Sequence, residues 1–277
     1  MKPFSYHNHA DFCDGKNTVE EIVLSAIDHG FDSVGISCHS YISPIDTYCM
    51  DQDKHGEYLR EVRRVKDKYK DRISVYVGIE QDTLSDPEKY RQGYDYKIGS
   101  VHSVRRDGKR FDIDNTEEIM LMGVRELCGG DIYEYCELYF EEMEHVFDIT
   151  GCDIVGHFDL VTKFNEGGRL FDEDNERYIT AAEKAIKKLV SQGLIFEINT
   201  GAMSRGKRTS PYPSKRLLEI IKREGGKITY SSDCHLAKDI SCAFDEAASL
   251  AKECGFEGFM KLTSDGFKLE AFDKIKI

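Results

Sequence analysis

The feature that most constrains this chain is a short apolar segment followed at once by side chains that can bind metals. The first example lies near the N-terminus, where residues 4–6 predict a strand and His7 and His9 follow it. Residues i and i+2 of an extended segment point to the same side, so these two imidazoles can reach one ion. We expect the next loop to bring Asp14 to the same place. A single His-x-His pair also arises by chance, and it indicates a metal site only if the pattern recurs along the chain.

The pattern recurs along the chain. Helical spacing of apolar residues predicts helices between the recurrences, the first of which begins at a capping box at Thr18 and ends near Gly30. The later helices are predicted at about 55–69, 116–127, 131–150, 173–191, 213–224 and 240–254. The predicted strands and the polar residues that follow them are 33–37 with His39, 73–77 with Glu80, 96–101 with His102, 153–156 with His157, 194–198 with Asn199, and 227–231 with Asp233 and His235.

Alternating strands and helices predict parallel βαβ units and hence an α/β fold. We count about seven strands, of which 227–231 is the last. In a barrel of parallel strands the carboxyl ends share one rim, where active sites are built, so the scattered polar residues would meet there. We expect a single domain over residues 1–277, with an elaborated helical connection, a candidate lid, at about 103–152.

Nine side chains at these strand ends and in the adjoining loops are candidate metal ligands. Histidine nitrogens with carboxylate oxygens suit zinc, manganese or iron, and the lack of thiolates among them argues against a structural zinc site. Nine ligands exceed one coordination sphere but fit two or three divalent ions that share a bridging carboxylate. Singly, His39 could be a hydrogen-bonded core histidine and Glu80 a surface charge. The nine candidates are His7, His9, Asp14, His39, Glu80, His102, His157, Asp233 and His235.

The composition limits the partners. The formal net charge is −13, whereas nonspecific binding to nucleic acids or anionic membranes depends on Lys and Arg at phosphates. We therefore expect a small-molecule substrate, no nucleic acid and no membrane. The nine cysteines form no Cys-x-x-Cys pair, and no run of about 18 apolar residues occurs. These features favour a cytoplasmic protein with reduced thiols. No pattern in the sequence decides the oligomeric state.

The order and spacing of the motifs resemble the PHP (polymerase and histidinol phosphatase) superfamily over essentially the full length of the chain. Within it, the middle motifs resemble the histidinol-phosphate phosphatase branch. The motifs are His7-Asn8-His9 with Asp14-Gly15, Gly35-Ile36-Ser37-Cys38-His39, Gly78-Ile79-Glu80, Gly99-Ser100-Val101-His102, Gly156-His157-Phe158-Asp159, Glu197-Ile198-Asn199-Thr200 and Ser232-Asp233-Cys234-His235.

The resemblance implies a distorted TIM-like (β/α)7 barrel with a trinuclear metal site at the carboxyl ends of the strands. Many relatives have histidine at the position of Asp14, and an aspartate there still supplies an oxygen ligand. In the implied arrangement Glu80 bridges the first two ions. The first ion takes His7, His9, Glu80 and Asp233, the second takes Glu80, His102 and His157, and the third takes Asp14, His39 and His235.

The expected function is hydrolysis of a phosphomonoester, specifically of L-histidinol phosphate to L-histidinol and phosphate in histidine biosynthesis. Paired divalent ions roughly 3.5–4 Å apart can activate a water and clamp the attacking and leaving oxygens of a displacement at phosphorus. Glu80 is predicted to be catalytic through its bridging position. Asp233 and His235 are the two candidates for the acid that protonates the leaving oxygen, and the sequence does not choose between them.

Three residues are candidates for contact with the substrate. Arg205 lies in a glycine-flanked loop beyond the strand at 194–198 and can hold phosphate bidentately, although an exposed loop cation is nearly as good an interpretation. Lys163 is a weaker candidate, because relatives of this branch tend to have arginine near it. Asn199 is counted among the substrate-binding candidates, although Asn199 and Asp159 are better suited to orienting metal ligands.

Other functions remain open at the level of sequence. The same site could serve another PHP-type phosphoesterase, with a phosphotyrosine or nucleotide substrate, or a nuclease. An amidohydrolase shares the opening His-x-His and the late aspartate, but it would leave Asp14, His39 and His235 without a role. A non-catalytic, metal-binding regulatory protein is a further alternative, and it would predict that some ligand positions are lost.

Overall fold

A computed structural model of the chain describes residues 2–42 and 47–272. The helices are α1 Val19–Asp28, α2 His55–Tyr69, α3 Glu117–Cys128, α4 Ile132–Glu144, α5 Val146–Thr150, α6 Glu176–Ser191, α7 Gly201–Ser204, α8 Lys215–Arg223 and α9 Phe244–Glu253. The strands are β1 Phe4–Ser5, β2 Ser33–Ile36, β3 Ser74–Val77, β4 Glu80–Asp82, β5 Ile98–Ser100, β6 Ser103–Arg106, β7 Lys109–Asp112, β8 Ile154–Val155, β9 Ile195–Asn199, β10 Lys227–Ser231, β11 Gly258–Thr263 and β12 Gly266–Ala271.

The strands that precede the candidate ligands are parallel, as the alternation of strands and helices predicts. They form a sheet of order β1-β2-β3 and a sheet of order β10-β9-β8-β5-β4. Two isolated parallel bridges connect these sheets, one between Asn8 and Cys234 and one between His39 and Glu80. The bridges lie beside candidate ligands, so the backbone itself brings the ends of the two sheets together.

Local sequence explains why the helices form where they do. Helix α1 begins at a capping box, in which the Thr18 hydroxyl accepts from the Glu21 N–H and the Glu21 carboxylate accepts from the Thr18 N–H. Both exchanges satisfy N–H groups that the first turn leaves unpaired. The apolar positions Val19, Ile22 and Val23 at helical spacing are fully buried. The start that the sequence predicts for this helix is therefore confirmed.

Two glycines leave room for the ring of a tyrosine that supports the backbone of the first motif. A Cβ atom on Gly35 or Gly78 would lie 2.2 Å from an atom of the Tyr96 ring, a separation that real Cβ atoms do not reach. The buried Tyr96 hydroxyl donates to the carbonyl oxygen of Tyr6, the residue before His7. A side chain at either glycine would displace this ring and, through it, the backbone that carries the first histidine.

The segment at 103–152 connects two paired parallel strands, β5 and β8. It contains the antiparallel hairpin β6–β7 and helices α3 to α5. The single helix predicted at 131–150 is wrong, because α4 ends at Glu144 and α5 begins at Val146. The buried apolar residues of the described ranges form one core. The division of the chain into one domain with an elaborated connection stays a prediction.

The prediction that 227–231 is the last strand is wrong. An antiparallel hairpin of β11 and β12 follows α9. Charged residues interrupt its apolar residues, and only tertiary packing buries Phe259, Met260 and Leu262. Strand β4 also escaped prediction because its three residues, Glu-Gln-Asp, are all polar yet fully buried. No helix within residues 2–42 and 47–272 is long and apolar enough to cross a membrane.

Candidate metal centre

The structure brings the nine predicted ligands into one cluster. Their donor atoms form overlapping groups in which all members lie within 4.8 Å of one another. Residues that are up to 228 positions apart in the chain, such as His7 and His235, meet because each follows a strand of the parallel sheets. The groups are His9 with Asp14, His39 and His235; His7 with His9 and Asp233; His7 with Glu80 and His157; and His39 with Glu80 and His102.

Glu80 occupies the centre of this cluster. Its side chain is 1% exposed, and Ser100 Oγ donates to Oε1 at 2.6 Å. An isolated buried carboxylate would be costly, so the surrounding nitrogens are what permit it. The two oxygens of Glu80 lie within 3.5 Å of ring nitrogens of His7, His9, His39, His102 and His157.

Four buried side-chain nitrogens and oxygens that can bind a metal converge without hydrogen-bonding each other. His7 Nε2 lies 3.2 Å from Glu80 Oε2, and His9 Nε2 lies 3.2 Å from Asp233 Oδ1. None of these four atoms has a hydrogen-bond partner among the described residues. Buried polar atoms in proteins are nearly always satisfied, so a group of orphaned nitrogens and oxygens aimed at one point is the arrangement expected around a cation. The donors present therefore fit a divalent metal.

A second group forms around Asp14. His235 Nε2 lies 3.2 Å from Asp14 Oδ2, and His39 Nε2 lies 3.8 Å from Asp14 Oδ1. Gly15 makes this loop possible, because a Cβ there would lie 2.3 Å from the carbonyl oxygen of His9. The three side chains that the resemblance implies as a third set are thus neighbours in space.

Electrostatics in the cluster favour cations. Burial opposes protonation of His7, but the carboxylates of Glu197, Glu80 and Asp233 raise its pKa above the ordinary value. The charges that attract a proton to this imidazole would equally attract a metal ion. Burial and the neighbouring imidazoles of His235 and His39 lower the pKa of His9 to about 3, which leaves its ring neutral and able to donate an electron pair.

The carboxylates of the cluster remain ionised. Burial opposes the charge on Glu80, but the imidazoles of His39, His7 and His102 hold its pKa well below the ordinary value. Burial likewise opposes ionisation of Asp233, and Arg205 and His7 nevertheless lower its pKa. The ionised carboxylates and the neutral ring of His9 are already in the protonation states that metal binding requires, whereas His7 would release its proton when an ion binds.

Glu197 orients two histidines, a role that its place in a motif did not reveal. Its Oε1 lies 2.8 Å from His7 Nδ1, and its Oε2 accepts from the backbone N–H of His157 at 3.0 Å. A hydrogen bond at Nδ1 turns the Nε2 lone pair of His7 toward the cluster. Asn199 Nδ2 donates to Glu197 Oε2 at 2.9 Å. The period-two alternation of strand β9 places Glu197 and Asn199 on one face, a signal that was available in the sequence.

Asp82 plays the same part for His102. Its Oδ2 lies 2.9 Å from His102 Nδ1 and accepts from the backbone N–H of that residue at 3.2 Å. The sequence motifs did not include Asp82. Its spacing of two from Glu80 on strand β4 would have placed both carboxylates on one face, had the strand itself been recognised.

The backbone is strained at two of the candidate ligands. His157 has φ +25° and Asp233 has φ +46°, both in the region that L-residues rarely adopt. Each follows the last residue of a parallel strand by two positions. Such strain persists only where the surroundings enforce it and is common at functional sites. Here it directs both side chains into the cluster.

A cavity of about 280 Å³ opens beside the cluster. Arg205 and Lys163 border it, but neither is an unattached cation. Arg205 donates to the carbonyl oxygen of Asp233 at 3.0 Å and to its Oδ2 at 3.2 Å. Lys163 Nζ donates to the backbone oxygen of Asp114 at 2.7 Å and approaches its Oδ2 at 3.3 Å. The predicted ligands that line the cavity are Asp14, His39, His102, His157, Asp233 and His235.

Asn199 and Asp159 lie behind the cluster and away from this cavity. Both side chains are fully buried. Asn199 holds Glu197, as described above, and Asp159 Oδ2 accepts from the backbone N–H of Ser214 at 2.9 Å. Burial raises the pKa of Asp159 to about 7. The position of Asn199 favours the orienting role over contact with a substrate.

Named relatives resemble the chain over most of its length. A "Probable histidinol-phosphatase" of Schizosaccharomyces pombe is 29% identical over 276 aligned positions, which cover 91% of this chain and 87% of that protein. A "Histidinol-phosphatase" of Lactococcus lactis subsp. lactis is 25% identical over 290 positions, which cover 98% of this chain and 97% of that protein. Both alignments extend over far more of the chain than a shared short motif would.

A solved structure shows the same fold. The L. lactis histidinol phosphate phosphatase, complexed with zinc, L-histidinol and phosphate, has a TM-score of 0.70 and 22% identity to this chain. The superposition covers 96% of this chain and 99% of that chain. The expected α/β fold is thereby confirmed. The sequence also matches the family described as PHP domain over residues 5–201, more than half of the chain. The protein therefore belongs to the PHP domain family.

Proposed function

We propose that this protein is a metal-dependent phosphatase that hydrolyses L-histidinol phosphate to L-histidinol and phosphate, a step of histidine biosynthesis. The observation that carries the proposal is the group of buried, orphaned donor atoms on His7, His9, Glu80 and Asp233. The names of the two relatives and the bound L-histidinol and phosphate of the L. lactis structure support the choice of substrate.

The residues divide into sets that would hold two or three ions. Zinc, manganese and iron all suit the nitrogen and oxygen donors present. When bound, such ions supply Lewis-acid stabilisation of negative charge on phosphoryl oxygens and activate water as the nucleophile. Glu80 is placed to serve two sets, because its two oxygens face different histidines. The proposed sets are His7, His9, Glu80 and Asp233; Glu80, His102 and His157; and Asp14, His39 and His235.

The protein's own side chains would orient the ester. Arg205 borders the cavity with 34% of its side chain exposed, and a guanidinium can bind phosphate oxygens through two parallel N–H groups. Its contacts with Asp233 hold it beside the cluster. Asp233 and His235, the two candidates for the acid, both border the cavity, but Asp233 is ionised and lacks the proton that this step needs, which favours His235.

We further infer that the two parallel sheets form one distorted barrel of seven strands, with the metal site at their carboxyl ends. The bridges between Asn8 and Cys234 and between His39 and Glu80 support this closure. In that ring β3 and β4 would count as one interrupted strand, because β3 pairs with β2 and β4 pairs with β5. The strands would then follow the order β1, β2, β3–β4, β5, β8, β9 and β10, and the rest of the chain would complete a single domain with the connection at 103–152.

The third group of ligands favours this proposal over an amidohydrolase. An amidohydrolase would give Asp14, His39 and His235 no task, yet their donor atoms share one group with His9. A non-catalytic protein would not need a cavity bordered by Arg205 next to that group. The arrangement is therefore better suited to phosphoester hydrolysis than to either rival.

A steady-state screen tests the substrate. We expect kcat/KM for L-histidinol phosphate to exceed that for p-nitrophenyl phosphate and for ethyl phosphate by about 100-fold or more, because a specific site binds the whole leaving group in the transition state. The enzyme should be reconstituted separately with zinc, manganese and iron. Equal rates for all esters would refute the proposed substrate and indicate a general phosphatase. No turnover with any ester would refute phosphoester hydrolysis as well.

Replacement of Glu197 by glutamine is expected to weaken metal binding by about 10- to 100-fold, the usual cost of losing a carboxylate behind a ligand histidine. The neutral amide is a weaker acceptor for the Nδ1–H group of His7 than the carboxylate, and Glu197 itself is not one of the proposed ligands. Competition with a chromogenic chelator measures the affinity.

The matched control is Glu219→Gln, on the exposed face of helix α8. Thermal melting of the metal-free proteins separates positioning from folding. If Glu197→Gln and wild type bind metal equally well, the positioning role is refuted. If the variant loses its fold, Glu197→Asp, which keeps the charge, should recover part of the metal affinity.

A further inference from the structure

One acidic side chain in the cavity has no part in the proposed metal sites. Asp114 lies in the loop between strand β7 and helix α3 and borders the cavity together with Lys163 and Arg205. A carboxylate facing a cavity that receives a phosphate dianion would repel it. Beyond holding a cation of the protein itself, such a group is useful where another part of the substrate is cationic.

The backbone on both sides of Asp114 is anchored. The N–H of the preceding residue, Ile113, donates to the carbonyl oxygen of His102 at 2.9 Å. Two residues further on, Thr116 caps helix α3 by accepting from the Ile119 N–H at 3.2 Å. The carboxylate is therefore held next to the backbone of a proposed metal ligand rather than on a free loop.

Lys163 keeps this carboxylate in place and charged. Its ammonium donates to the backbone oxygen of Asp114 at 2.7 Å and lies 3.3 Å from Oδ2. Burial opposes ionisation of Asp114, but Lys163, His102 and His157 lower its pKa. A carboxylate offers about four acceptor positions, so one lysine does not exhaust its capacity to bind a second cation.

We propose that Asp114 is a specificity-determining residue that binds the ammonium group of an amino-substituted phosphomonoester. The inference rests on the proposed function, and it names the class of substrate: an alkyl phosphate with a primary amine close to the ester oxygen. Arg205 would meet the phosphate, whereas Asp114 would meet the amine. The same carboxylate would reject esters that bring an additional negative charge into the cavity.

The test compares pairs of esters that differ only in the amine. One pair is L-histidinol phosphate and its deamino analogue, and the other is 2-aminoethyl phosphate and ethyl phosphate. Wild type is expected to favour the aminated member by about 10- to 100-fold in kcat/KM, the usual contribution of a hydrogen bond between charged groups. In Asp114→Asn the preference should fall to within about threefold, because the neutral amide no longer pairs with the ammonium, while the deaminated esters keep their rates.

Two further variants serve as controls. Asp112→Asn makes the same change two residues earlier, at a side chain that does not line the cavity and that accepts from Ser103 Oγ at 2.8 Å. It should behave as wild type. Lys163→Met removes the partner of Asp114 and should keep the preference for the amine. If Lys163→Met loses the preference as fully as Asp114→Asn does, Asp114 acts only by holding the lysine and the proposal is overturned.

A binding measurement makes the test independent of turnover. Calorimetric titration with L-histidinol should give a Kd about 10-fold weaker or more in Asp114→Asn than in wild type. Equal affinity, or equal kcat/KM for the aminated and deaminated esters in wild type, would overturn the role of Asp114. The proposed function fails on a different result, namely when L-histidinol phosphate reacts no faster than 2-aminoethyl phosphate or p-nitrophenyl phosphate.

Discussion

Glu80→Gln is expected to lower kcat/KM for L-histidinol phosphate by at least about 10³-fold, equivalent to about 4 kcal/mol of transition-state stabilisation. The carboxylate lies within 3.5 Å of five imidazoles and is 1% exposed. Both proposed ligand sets that include Glu80 therefore depend on it. The amide has nearly the same volume but only one acceptor oxygen and no charge, and it cannot join two cations.

Elemental analysis should accompany the kinetics. Wild type should bind at least one more ion per chain than Glu80→Gln, since the bridging ligand is lost. The matched control is Glu88→Gln, an exposed glutamate paired with Arg91 on the surface, which should retain full activity and metal content. Unchanged metal content together with unchanged kcat/KM in Glu80→Gln would show that the central carboxylate bridges nothing.

Metal removal is the second change with a large expected effect. Dialysis against a strong chelator should lower kcat to below roughly 0.1% of the loaded enzyme, because the remaining side chains supply no strong Lewis acid. It should also lower Tm by several degrees. A ligand at 100 times its Kd stabilises the folded state by about 2.7 kcal/mol, and removal of that ligand forfeits the stabilisation.

Reconstitution provides the internal control. Addition of zinc, manganese or iron to the stripped wild type should restore both kcat and Tm, and the order of effectiveness identifies the preferred metal. The same additions should leave Glu80→Gln largely inactive, which separates loss of the ion from loss of its site. Full turnover in a sample with less than about 0.1 ion per chain would contradict the proposal.

Much of the candidate site was predictable from local sequence. A metal ligand near the end of a parallel strand needs two signals, an apolar segment and a polar residue after it, and both are readable without a structure. His102 and His157 show this well, since each follows a short buried strand by two residues. Same-face spacing likewise brings His7 and His9 together, whatever the rest of the fold does.

Other features left no local signal. Asp82 lies on a strand of three polar residues. From the sequence alone such a segment is predicted to be a loop, and only the tertiary structure shows that it is a buried strand. Asp114 lies in a turn before a helix, where an aspartate is ordinarily just a turn or capping residue. Lys163 reads from the sequence as a cation available for phosphate, but in the structure it is paired with that aspartate from 49 positions away. Hairpin β11–β12 is buried only where it meets strand β10 and the core.

The sequence by itself determined the α/β alternation and the identity of the residues that end the strands, because strand, helix and ligand chemistry are all local properties. Only the tertiary structure decided which atoms face each other: the pairing of Glu197 with His7, the pairing of Asp82 with His102 and the position of Asp114 at the edge of the cavity. These contacts join residues that are between 20 and 190 positions apart. Their geometry arises from the order of strands in the sheets, which the residues of any one segment do not encode.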